Sequence, residues 1–198
     1  ERFVFAAPKE VRIDSEELPP LKKNEIRIET EKTLLSTGTE MAHYMGRKWE
    51  KPTEIAPKYP NYPGYSNAGV VKEVGENVDT FNPGDRVASR GGHSRYVTIN
   101  ENDFILKIPS QIGFEEATFA NLSATVQNGI RKGKPELGDN VAVIGLGLIG
   151  QMTCKFLNLW GARVIGLDID DFRLKQARQN GDIEHGINPE REDAEARI

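Results

Sequence analysis

The chain of 198 residues carries 26 Lys and Arg against 30 Asp and Glu, a formal charge of −4, with 37% apolar and 28% charged residues. This composition suits a water-soluble globular protein with one or two cores, and its mildly acidic balance offers no field for a phosphate backbone, which speaks against nucleic acid as a partner. No apolar run approaches the ~18 residues of a membrane span, so no membrane partner is expected. The single cysteine, Cys154, excludes an internal disulfide and a thiolate-rich zinc site, and the expected compartment is the cytoplasm.

From residue 1 to about 108, short apolar runs alternate with Gly, Pro, Asn and Asp. Residues 2–6, 11–13, 25–33, 68–74, 86–89 and 96–99 each predict a strand, with turn chemistry at Gly75-Glu76-Asn77, Asn82-Pro83-Gly84-Asp85 and Gly91-Gly92. Evenly spaced strands of this kind predict a partly closed antiparallel barrel or sandwich. The stretch from Gly46 to Gly64 holds four prolines and two tyrosines without a period. It reads as a long irregular loop, a candidate lid or substrate-facing wall.

After Pro109 the period changes. Residues 114–131, 148–159 and 171–179 predict helices, whereas 140–144 and 163–167 predict buried strands and 184–187 a third strand. The charged tail 189–198 reads as the start of a solvated helix. Alternating strands and helices predict right-handed βαβ units on a parallel sheet. The chain divides into 1–125, rich in strands, and 126–198, a dinucleotide-binding unit.

The strongest motif is Gly145-Leu146-Gly147-Leu148-Ile149-Gly150, directly after an apolar strand and opening an apolar helix. Gly145 serves the tight turn, Gly147 lets the backbone approach a pyrophosphate, and Gly150 lets helix and strand pack closely. The helix start at Leu148 and Ile149 then faces the phosphates. Asp168 follows the next strand, where a carboxylate accepts the adenosine ribose hydroxyls and repels a 2′-phosphate, so NAD(H) is expected over NADP(H). Arg173 could reach the same ribose, or favour NADP(H) by swinging toward a 2′-phosphate.

Five stretches carry a family resemblance: Leu35 to Glu40, Pro63 to Gly75, Asn82 to Val87, Gly91 to Val97 and Gly138 to Gly150. Together they resemble the medium-chain dehydrogenase/reductase superfamily that includes zinc alcohol and polyol dehydrogenases. The resemblance implies a GroES-like, partly open β-barrel domain followed by a Rossmann doubly wound parallel sheet, with the active site in the cleft between them. Ser36-Thr37-Gly38-Thr39-Glu40 is most similar to a divergent, zinc-free branch that includes bacteriochlorophyllide-type dehydrogenases.

At the family's catalytic zinc-ligand positions this chain has Thr37, Tyr65, Ser66 and Ala120, none a good ligand, and the cysteine-rich structural lobe is missing. No catalytic zinc is therefore expected, although Glu40, His43 and His93 could make an unorthodox metal site. Without a Lewis acid, a substrate oxygen needs hydroxyl or imidazole donors. The resemblance matches Thr39 to the hydroxyl that begins the family's proton relay. Tyr65 takes the place of a ligating histidine, either as a donor to the substrate oxygen or as filler for the vacated space. His93 can serve as acid or base near neutral pH, and Glu40 is expected to orient Tyr65 or His43.

Only three of six Rossmann strands are expected in this sequence, so the family resemblance implies a longer polypeptide, with a homodimer or homotetramer formed through the remaining strands. The expected activity is that of a medium-chain alcohol dehydrogenase-like enzyme, an NAD(H)-dependent, zinc-independent oxidoreductase acting on an alcohol or ketone as a small-molecule substrate. The alternatives are an NADPH-dependent quinone or enone reductase and a non-catalytic nucleotide-binding protein.

Overall fold

The computed structural model describes residues 1–47, 57–194 and 196. The chain forms two compact units, Glu1–Asn121 and Leu122–Ile198, against a division after residue 125 read from the sequence.

The first unit is mainly β. Strands β1 (Arg2–Ala7) and β2 (Glu10–Asp14) form an antiparallel hairpin through Pro8 and Lys9. Proline presets the first turn residue, and Lys9 takes φ +63 at the second. β3 (Glu25–Thr33), helix α1 (Thr39–Tyr44), β4 (Asn67–Val74), β5 (Arg86–Ser89), β6 (Tyr96–Asn100), β7 (Ile105–Lys107) and α2 (Phe114–Ala117) follow. Five strands pair antiparallel in the order β6-β3-β4-β5-β7. β3 lies inside the sheet, with Ile26 opposite Val74 on one side and Ile99 on the other. Ile26, Ile28, Val71, Val87 and Val97 point into one core with Phe81 and Ile105. β7 was not anticipated, because three residues are too few to display a period.

The helix expected over 114–131 is interrupted. α2 ends at Ala117, and α3 (Ala120–Gly133) starts after a turn at Thr118 and Phe119. The Thr118 hydroxyl donates to the Glu115 carbonyl (2.7 Å), and Phe119 N–H bonds the Glu116 carbonyl three residues back. A threonine side chain that competes for helix carbonyls tightens the turn and breaks the repeat.

In the second unit, β8 (Asn140–Ile144), α4 (Leu148–Trp160), β9 (Arg163–Leu167), α5 (Asp171–Gln179) and β10 (His185–Ile187) form βαβ units on a parallel sheet of order β10-β9-β8. Val143, Leu146, Cys154, Leu157, Val164 and Leu174 form its core with Val126 and Ile130 of α3. β9 is buried along most of its length. β8 pairs with β9 alone among the described strands, and Asn140, Ala142 and Ile144 are exposed, Ile144 to 83%.

Residues 189–194 form turns rather than a helix start. Asn188 anchors them: its amide donates to the Ile169 carbonyl and Asp171, its side-chain oxygen accepts from Glu190 N–H, and its carbonyl accepts from Arg191 and Glu192 N–H.

Candidate functional site

The first unit brings two expected site residues together. Glu40 stands in the first turn of α1, a helix that Gly38 leaves without a side-chain cap. One Glu40 oxygen, Oε2, accepts from Ser36 N–H at 2.8 Å, and the other, Oε1, is 2.9 Å from His93 Nε2. Both side chains are almost wholly buried. A carboxylate only accepts, so it holds a proton on Nε2. Among the described residues Nδ1 is buried without a partner, an omission that costs about 1–3 kcal/mol.

Backbone contacts fix the imidazole. His93 N–H donates to the Pro63 carbonyl, its carbonyl accepts from Phe3 N–H, and its ring meets Phe3 edge-on at 6.4 Å. Gly64 makes this approach feasible, since at φ +103 an added Cβ would lie 2.5 Å from His93 N. His93 lines a cavity of about 410 Å³ together with Phe3, Tyr62, Gly64, Gly92 and Ser94. Arg2, also at its wall, stacks on the Tyr62 ring at 3.6 Å.

The other expected residues fall differently. Thr39 opens α1 and is half-buried. Tyr65 is half-buried, its carbonyl accepts from the Asn121 amide at 3.1 Å, and it is not among the residues lining the His93 cavity. His43 accepts at its carbonyl from the Tyr59 hydroxyl. Glu40 therefore meets His93, and among the described residues no bond from its carboxylate to Tyr65 or His43 is found. Of the loop expected over Gly46 to Gly64, residues 48–56 lie outside the described residues.

The positions matched to zinc ligands hold an exposed Thr37, the Tyr65 phenol, a buried Ser66 hydroxyl and the Ala120 methyl. That donor set does not fit zinc, which takes thiolate, imidazole or carboxylate. Among the described residues no three His, Cys, Asp or Glu side chains converge as a metal site.

In the second unit the glycine turn stands between β8 and α4. Gly145 has φ +87 and donates from its N–H to the Leu167 carbonyl (2.7 Å), stitching the turn to the end of β9. Asp168, its side chain 4% exposed, is the clamp: Oδ2 accepts from Leu146 N–H at 2.6 Å and Oδ1 from Asp170 N–H at 2.8 Å. Burial raises its pKa, but the two backbone donors and the Arg173 guanidinium at 3.5 Å outweigh that and hold the carboxyl below its ordinary range.

A Cβ at Gly150 would fall 1.8 Å from the Gly145 carbonyl oxygen, which forces glycine there. At Gly147, by contrast, a Cβ would meet nothing within 4 Å. That open cradle, followed by the thirteen-residue α4 with no side-chain cap, fits a pyrophosphate. Leu148 and Ile149 open the helix beside it.

Sequence reading passed over Ser36, the Leu146 amide and Asp170. Asp170 was signalled only by its spacing from Asp168. It caps α5 by accepting from Phe172 N–H and lies 3.5 Å from Arg173 Nε. Cys154, on α4, is fully buried, and burial followed by the nearby Asp182 pushes its thiol up to about 12.

The alcohol dehydrogenase GroES-like domain family matches residues 22–130. The zinc-type alcohol dehydrogenase-like protein YphC of Escherichia coli is 29% identical over 73% of this chain and 51% of its own length. An alcohol dehydrogenase of Geobacillus stearothermophilus is 27% identical over 71% of this chain and 50% of its own. The chain thus spans about half the length of these curated relatives. Among solved structures, the Escherichia coli quinone oxidoreductase in complex with NADPH superposes with a TM-score of 0.84 at 23% identity, covering 100% of this chain and 61% of that one. An Escherichia coli oxidoreductase of unknown specificity gives 0.85 at 24% identity, covering 99% and 65%.

Proposed function

The chain belongs to the alcohol dehydrogenase GroES-like domain family within the medium-chain dehydrogenase/reductase superfamily, and from that premise we propose that it serves an NAD(H)-dependent oxidoreductase that interconverts an alcohol and a ketone without catalytic zinc. The observation that carries this reading is the open backbone cradle at Gly147 beside the buried Asp168 carboxylate. A bound nicotinamide dinucleotide would supply the hydride-transfer chemistry. The chain's own residues do the holding: Leu148 and Ile149 N–H groups at the start of α4 meet phosphate oxygens, and Asp168 accepts ribose hydroxyls with its remaining lone pairs.

On the substrate side, His93, which lines the cavity of the first unit, is the candidate acid or base, and Glu40 fixes its ring through Nε2. Thr39 and Tyr65 remain candidate hydroxyl donors in the same unit. The donor set at the zinc positions supports a metal-independent route. We assign the protein to the cytoplasm and to a homo-oligomer.

Titration of the purified protein with NADH, followed by a panel of ketones and aldehydes read as loss of reduced cofactor, tests the proposal. NADH binding, turnover that survives chelation, and loss of turnover in His93→Ala support it. Stoichiometric zinc with chelator-sensitive activity overturns the metal-independent reading, and failure to bind NADH overturns the whole. A specific observation favours the NADPH alternative, namely a guanidinium, Arg173, standing beside the ribose acid.

A further inference from the structure

With His93 as acid or base, the cavity it lines receives the substrate oxygen, and the rest of the wall bears on what that substrate carries. The charged lining residues are Glu1, Asp14, Glu16 and Glu17 against Arg2 alone, a formal sum of −3. Asp14 is answered by Arg12 at 2.7 Å, and Glu16 by Arg2. Glu17 is exposed and has no ion pair among the described residues. Arg95 lies over the Tyr96 ring at 5.7 Å and is not among the lining residues.

One wall already holds a cation. The Arg2 guanidinium stacks on the Tyr62 ring at 3.6 Å and pairs with Glu16, a ring-and-carboxylate arrangement that suits an organic cation. A metal ion needs several ligands converging on one point, and among the described residues no such group of His, Cys, Asp or Glu exists. His93 adds a second requirement. Its side chain is 3% exposed, and among the described residues Nδ1 has no partner. A ligand hydroxyl serves that nitrogen in either protonation state, donating to the neutral ring or accepting from the protonated one.

We propose that the substrate is an organic cation, an amino alcohol or the corresponding amino ketone, with its oxygen at His93 and its ammonium group toward the Glu17 carboxylate. This deepens the oxidoreductase reading given above and rests on it. A cavity lined by one sign of charge concentrates the opposite sign, repels an anion and gains nothing from a neutral ligand. In the oxidising direction the carbinol carbon passes a hydride to NAD⁺, the hydroxyl proton leaves to the His93 imidazole, and the ammonium group is unchanged.

Three probes isolate the charge: 1-amino-2-propanol, 1,2-propanediol and lactate, which set an ammonium, a hydroxyl and a carboxylate beside the same secondary alcohol. Each is titrated into the full chain at one low ionic strength, with the amide resonances of Gly64 and Ser94 locating the site. The amino alcohol should bind about fivefold tighter than the diol, and the diol tighter than lactate, on the scale of one solvent-exposed charge pair. Glu17→Gln, at an exposed position, should lower the ratio of amino alcohol to diol affinity by about threefold, and Glu17→Lys should lower it further.

Equal affinities, a preference for the diol or lactate, no binding of any probe, an unchanged ratio in both Glu17 variants, or shifts that spare Gly64 and Ser94 overturn this inference. Each does so alone when NADH still binds. A chain that fails to bind NADH overturns the oxidoreductase reading and, with it, the assignment of the amine as substrate.

Discussion

Two glycines, one in each unit, serve opposite purposes. At Gly64 the missing Cβ makes room for the protein, and the space is filled by the His93 backbone at 2.5 Å. At Gly147 a Cβ would meet no atom of the described residues within 4 Å. The first is a packing requirement that happens to position an imidazole, and the second is a vacant approach beside uncapped helix amides. The contrast shows that a glycine required by packing and a glycine facing open space look alike in the sequence pattern.

The largest effect should come from Gly64→Ala. It sets a Cβ against backbone at φ +103, and we expect destabilisation of about 3 kcal/mol or more, measured by chemical denaturation. Gly147→Ala should behave oppositely. Its φ of −67 suits any residue, so stability should change by no more than about 1 kcal/mol. Dinucleotide affinity should nevertheless fall by about tenfold or more, because the methyl fills the phosphate approach. If both variants were simply unstable, the contrast would collapse.

Glu40→Ala comes next. It leaves His93 Nε2–H and Ser36 N–H buried without an acceptor and should cost about 2–4 kcal/mol, whereas Glu40→Gln keeps one acceptor and should cost less than half of that. Equal losses in the two variants would mean that the pair is held by charge and not by hydrogen bonding.

Acid sharpens the second unit. The carboxyl pKa of Asp168 is lower in the folded chain than in the unfolded one, so its stabilisation is complete above the unfolded carboxylate pKa and fades as pH falls through the folded value. Asp168→Asn should therefore flatten the acid limb of a stability–pH curve. The smallest effect concerns Cys154: with its thiol pushed up to about 12 and no exposure, it should resist thiol reagents at neutral pH until the chain unfolds.

Legibility followed the range of the interactions. Strands β3, β5, β8 and β9 and helix α5 were readable to the residue because their apolar runs and turn residues are local. The break at Thr118, the three-residue β7 and the Asn188 turn were not, since side-chain bonds or sheet pairing decide them. The glycine turn with Asp168 was visible because strand, turn and acid follow a fixed spacing. Glu40 and His93, 53 positions apart in sequence, were grouped only as a candidate metal site with His43, and their hydrogen bond was not foreseen. Asp170 stood two residues from a recognised acid and went unread because its role depends on where the Arg173 side chain lies.

The most direct test of the account is a pair of binding isotherms, NADH and NADPH titrated into the same preparation of wild-type protein at one ionic strength. The account predicts that NADH binds, and binds about tenfold tighter than NADPH or better, because the Asp168 carboxylate repels a 2′-phosphate. Equal affinities, a preference for NADPH, or no binding of either would contradict it.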